Sequence, residues 1–164
     1  MKAEEGNELS YDELRQRSSQ VIGPEHVVTL DERIIASVLA RRGTTNIIID
    51  SHAVTRESYG FRAIPFSASQ IQRLSLDAII SLRCDPQIIV SRIAADPAGR
   101  RDVTIELARE HQTLQGSVAV NYAILCGCPI YIVDTTLLDH KGVFVEASKI
   151  LNGFGMRPIS QAIT

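Results

Sequence analysis

Apolar positions along this chain follow two patterns: short unbroken runs, and stretches in which they recur every three or four residues. The unbroken runs are Asn46-Ile47-Ile48-Ile49-Asp50, Ala78-Ile79-Ile80-Ser81-Leu82 and Ile130-Tyr131-Ile132-Val133-Asp134. Each is short, rich in β-branched residues and followed by polar ones, which predicts parallel strands covered on both faces. Between them lie helical signals. Asp31 to Arg42 places Ile34, Ile35, Val38 and Leu39 on one face, with Gly43 as C-cap. Tyr11 to Gln20 is helix-compatible after Ser10 and is expected to stop at Gly23-Pro24, while Val27 to Leu30 reads as a short strand or a loop. Ala68 to Leu74 predicts a short helix, and Pro86 to Ala95 a better one, with Asp85 as N-cap.

The longest predicted helix runs from about Thr104 to Cys126, where Leu107, His111, Leu114, Val118, Tyr122 and Leu125 draw one stripe. Gly127 and Pro129 end it, and a last helix is expected from Val143 to Leu151. Strands alternating with helices predict a three-layer α/β fold. No linker or repeat divides the 164 residues, so a single domain is expected, with residues 1–8 as a flexible acidic N-terminus.

Composition narrows the function. Lys+Arg at 17 against Asp+Glu at 19 leaves a formal charge of −2, which argues against bulk attraction to nucleic acid or anionic membrane. No apolar run approaches the ~20 residues of a membrane span, and the N-terminus lacks the pattern of a signal peptide. Cys84, Cys126 and Cys128 form neither a disulfide framework nor a two-residue-spaced zinc motif, so a cytoplasmic location and no structural metal are expected.

Open parallel sheets present ligands at the carboxyl ends of their strands. There, Asp50 could hold magnesium through water, with His52 and Arg56 close by in sequence. Arg92, Arg100, Arg101 and Arg109 concentrate positive charge in one stretch; their planar forks suit phosphate, and they suit pairing with Asp96, Asp102 and Glu106 equally. His111 reads as a core histidine, and Gln112 as a group that reads a base edge or holds a loop.

Several of these segments together resemble archaeal-type adenylate kinases. Glu110-His111-Gln112 opens a helix that carries Ala119, Tyr122, Leu125 and Gly127 and runs into Ile130 to Val133. Upstream, Ile47-Ile48-Ile49-Asp50-Ser51-His52, Tyr59-Gly60-Phe61 with Pro65, and Arg100-Arg101-Asp102 resemble that family's segments in the same order. The resemblance implies a P-loop nucleotide kinase that uses ATP and magnesium. Carried over, Asp50 is the Walker-B-type carboxylate and the magnesium contact, through water. His52, Arg56 and Gln112 are nucleotide-binding, and Arg100 and Arg101 are the catalytic lid arginines. The implied partner is a nucleotide, with no nucleic acid and no membrane.

Two features depart from the family. Gly116 stands where the family's helix has an arginine, and no Gly-x-x-x-x-Gly-Lys-Ser/Thr occurs anywhere in the chain. The expected fold is therefore a P-loop-kinase-like parallel sheet without its first strand and P-loop. That strand would lie between the Asp50 run and Ala78 to Leu82. It could come from sequence upstream, from a second chain (another copy or a different partner), or from Val27 to Leu30. The functional expectation is a phosphotransferase incomplete as given; the alternative is a catalytically degenerate nucleotide-binding or regulatory subunit.

Overall fold

The computed structural model describes residues 24–96 and 103–154. The N-terminal tail, the helix expected at Tyr11 to Gln20 and the pair Arg100 and Arg101 lie outside the described residues.

The first element is helix α1 (Pro24–Arg41), and it absorbs the segment Val27 to Leu30 that reads as strand or loop. Pro24 opens this helix instead of ending the one before it, because a proline ring presets the backbone angle of a first helical position. Ile35 and Val38 are buried, but Ile34 and Leu39 of the predicted face are 38% and 44% exposed. Gly43 follows at φ +85, the left-handed conformation that turns the chain out of the helix.

The run Asn46 to Asp50 is not a strand; it joins no sheet among the described residues. Ile47 and Ile49 pack against the core, whereas Ile48 is 68% exposed. The run thus has the alternating burial of a strand, but no strand pairs with it among the described residues. Next comes an antiparallel hairpin, β1 (Val54–Glu57) with β2 (Gly60–Ala63), which no sequence signal singled out. Across it Arg62 Nε approaches Glu57 Oε1 at 2.9 Å, close in distance but not aligned as a hydrogen bond.

Helix α2 (Ala68–Leu74) starts at a capping box. The Ser67 hydroxyl accepts from the Gln70 N–H, and the Gln70 carboxamide accepts from the Ser67 N–H. Ile71 and Leu74 of α2 meet Ile35 and Val38 of α1 to form the core, with Phe66, Tyr122 and Cys126 packed against it. Arg42 donates to the carbonyls of Leu74 and Ser75, and Arg73 and Gln70 donate to Glu32, so polar bonds fasten α1 to α2 around that core.

Strand β3 (Ile79–Arg83) pairs in parallel with β4 (Ile130–Asp134), Ile79 opposite Ile130 and Arg83 opposite Asp134. Among the described residues the parallel sheet has these two strands instead of the expected three. Nor are both faces covered: Leu82 and Ile132 are 54% and 59% exposed. The connection is helix α3 (Pro86–Ala94), capped by Asp85, and helix α4 (Ile105–Cys126), capped by Thr104 and ended at Gly127. Helix α5 (His140–Asn152) closes the described chain. It starts three residues before the predicted Val143 because Asp139 accepts from the Gly142 N–H and caps the earlier turn.

Helix α4 turns only part of its predicted stripe inward: Leu107, His111, Val118 and Tyr122 are half-buried. Ala108 and Ala123 are buried, while Leu114 and Leu125 are 38% and 37% exposed. Small residues let the helix approach its neighbours closely, and its polar side chains use that proximity.

Candidate functional site

The carboxyl ends of β3 and β4 open on a cavity of about 930 Å³, walled by α4 along one side. His52, Arg83, Asp85, Arg109, Gln112 and Asp134 carry its chemistry. Each is placed by a local rule. Arg83 and Asp134 are the last residues of paired parallel strands, and Asp85 is the N-cap of α3, so three charged groups gather at one sheet end. Arg83 Nη2 lies 3.4 Å from Asp134 Oδ2. The hydroxyl and backbone N–H of Thr136, helped by Arg83, hold the Asp134 carboxyl below its usual range.

The loop after β4 is fastened to β3. The N–H and hydroxyl of Thr135 both donate to the Arg83 carbonyl, at 2.8 and 3.0 Å, and the Asp85 N–H donates to Thr136 Oγ1 at 2.8 Å. Arg92 donates to the Thr135 and Leu138 carbonyls, both at 3.4 Å. This member of the basic cluster braces a loop. Arg109 is different: among the described residues no partner meets its guanidinium, which stands at the cavity wall.

Three side chains of α4 bond to backbone. Gln112 Nε2 donates to the Cys84 carbonyl at 2.8 Å, and the Cys84 N–H donates to Gln112 Oε1 at 2.8 Å. The Val54 N–H donates to Gln115 Oε1 at 3.1 Å. His111 Nε2 lies 2.9 Å from the Val54 carbonyl, and since a carbonyl only accepts, that nitrogen carries the proton. Phe61 stacks on the His111 ring with centroids 5.4 Å apart.

The sequence-derived site residues therefore fall into three groups. His52 and Gln112 are brought to one cavity. Asp50 stands beside His52, 4.0 Å away, but its side chain is 92% exposed and does not line the cavity. Arg56 lies on the β1 strand of the hairpin, away from the cavity lining. Sequence reasoning missed Arg83, although the rule that drew notice to Asp50, a charged residue closing an apolar run, also selects it. Gln115 was legible as the residue one helical turn beyond His111 and Gln112.

Among the described residues no three of His, Cys, Asp and Glu come together as a metal cage. Asp50 as a single carboxylate fits a magnesium ion held mainly by water and phosphate oxygens. No helix among the described residues is long and apolar enough to cross a membrane.

Charged groups gathered at the carboxyl ends of parallel strands, with a long helix beside them, are the arrangement of a ligand site in an α/β protein. The family profile described as an AAA domain matches residues 2–109, and the chain belongs to that family, on its adenylate-kinase-like branch. It is 30% identical over 105 residues to the adenylate kinase of Methanoculleus marisnigri, covering 63% of this chain and 54% of that protein. It is 29% identical over 90 residues to the adenylate kinase of Thermoplasma acidophilum, covering 54% and 48%. The chain spans about half the length of the curated relatives it matches.

Proposed function

We propose that this chain is the core of an adenylate-kinase-like phosphotransferase, incomplete as given because it carries no Walker A motif. The observation that carries the reading is the cavity at the ends of β3 and β4, where Arg83 and Arg109, which has no partner among the described residues, face a space wide enough for a nucleotide. Arginine forks there bind phosphate oxygens in pairs and neutralise charge that develops during transfer. Arg100 and Arg101 close over the phosphates. His52 contributes a donor to the cavity, and Arg56 a cation to the nucleotide. Asp50 holds the magnesium ion through water, and that ion supplies charge neutralisation to ATP when bound. The protein works in the cytoplasm on a free nucleotide.

The missing first strand belongs between the Asp50 run and β3. Its absence agrees with an Ile48 that is 68% exposed and with the lack of any strand paired to Ile47 to Asp50 among the described residues. An upstream segment, or a second chain, supplies the strand together with a glycine-rich loop ending in Lys-Ser/Thr. The test is phosphotransfer from Mg²⁺–ATP to a panel of nucleoside monophosphates. The 164-residue chain alone is expected to be silent, and the same chain with such a segment attached upstream is expected to turn over. A silent extended protein overturns the reading.

One observation favours a second reading, a catalytically degenerate binding or regulatory subunit. The Gln112 carboxamide is spent on the Cys84 backbone and is not free for a base. Calorimetric titration with AMP, ADP and ATP separates the two: tight binding with no turnover in the extended protein favours the subunit.

A further inference from the structure

The parallel ladder fixes which way the backbone of β3 points. The Ile79 N–H donates to the Pro129 carbonyl, and the Thr135 N–H to the Arg83 carbonyl, so residues 79, 81 and 83 face β4. The backbone groups of Ile80, Leu82 and Cys84 then face the opposite, open edge. At Cys84 both groups are taken by one side chain, the Gln112 carboxamide, which makes the pair of bonds that a neighbouring strand would make there. On the same face of α4, His111 and Gln115 take the carbonyl and N–H of Val54 in the same two-bond manner.

These two anchor points flank the cavity. Cys84 sits between Arg83 and Asp85, and Val54 follows His52 by two residues. We infer that Gln112, with His111 and Gln115, is a positioning residue: one turn of α4 clamps the backbone on both sides of the cavity and sets the separation of His52 from Arg83 and Asp85. Cys84 is thereby closed to a further strand, since its groups are already occupied, while Ile80 and Leu82 have no strand beside them on that edge among the described residues. The role of the clamp in ligand binding rests on the nucleotide reading of the cavity; the clamp itself does not.

The experiment compares the unaltered chain with Gln112→Met and Gln112→Glu, by AMP titration and by amide hydrogen exchange, near neutrality and at about pH 5. A carboxylate at 112 cannot donate to the Cys84 carbonyl and is repelled by its oxygen, which draws it off the Cys84 N–H as well, whereas a protonated carboxyl donates to the one and accepts from the other, as the carboxamide does. Burial against a carbonyl raises the pKa of such a carboxyl, which brings its protonation within reach of pH 5. Arg83 and Asp85 beside Cys84, Arg109 and His111 on α4, and His52 and Asp134 also face this corner. Referring each variant to the unaltered chain at the same pH removes their titration.

Near neutrality both variants are expected to bind AMP about tenfold more weakly and to exchange the Cys84 amide faster. At the lower pH the Glu variant recovers both properties and the Met variant recovers neither. Unchanged AMP affinity alongside faster Cys84 exchange would overturn the positioning role, and unchanged Cys84 exchange would overturn the clamp. If the unaltered chain binds no AMP, the nucleotide reading fails separately. Exchange then decides the clamp alone: recovery in the Glu variant upholds it, and no recovery refutes it.

Discussion

Gly116 shows how much a single residue's meaning depends on its surroundings. It sits in the interior of α4, where glycine is less favourable than alanine by about 0.8–1 kcal/mol, and no atom lies within 4 Å of the place where a Cβ would stand. Gly116→Ala is therefore expected to raise the melting temperature by about 2–4 °C, read by circular dichroism. A fall would mean that the helix needs flexibility there. The open space also means that packing at this position does not require a glycine.

At the scale of elements, what could be read from the sequence was what local chemistry determines. Helix α2 follows its Ser67–Gln70 box, α3 follows Asp85-Pro86, and α4 runs from Thr104 to Gly127, all as their end signals indicate. What failed depends on partners distant in sequence. A run such as Asn46 to Asp50 becomes a strand only if another backbone lies beside it, and composition carries no information on that. The stripe of α4 was legible only in part for a related reason. Its outward leucines are the larger residues, but Gln112, Gln115 and His111 turn inward because backbone groups of Cys84 and Val54 would otherwise go unmet.

The α1–α2 junction gives this scale its prediction. Hydrogen bonds from Arg73, then from Gln70, hold the Glu32 carboxyl below its ordinary value. A carboxyl depressed on folding contributes stability that is complete above the unfolded pKa and is lost as pH falls through the folded one. The melting temperature of Glu32→Gln should accordingly lie below that of the unaltered chain at neutral pH. The gap should shrink as pH drops through 4.5 and below, and close in stronger acid. A gap that widens on acidification would refute the pairing.

Taken together, the described residues form a set of helices around two small sheets, with an aliphatic core between α1 and α2 and a charged cavity at the carboxyl ends of β3 and β4. Those two regions are joined by α4, which packs Tyr122 and Cys126 against the core and presents Arg109 and Gln112 to the cavity. The Phe66 N–H donates to the Tyr122 hydroxyl at 2.7 Å, and the Cys126 thiol donates to the Ile71 carbonyl at 3.3 Å, so the core end of the helix is fixed by bonds as well as packing. A ligand at the cavity end is thus held against a helix anchored at its opposite end.

The most direct measurement is the amide-exchange footprint of AMP on the chain, repeated with Arg109→Ala. Bound nucleotide is expected to slow exchange at the backbone of residues 83–85 and in the first turns of α4, and Arg109→Ala should weaken the binding tenfold or more, on the order of one lost charge-assisted phosphate contact. Protection confined to other surfaces, or an affinity indifferent to Arg109, would contradict the assignment of this cavity.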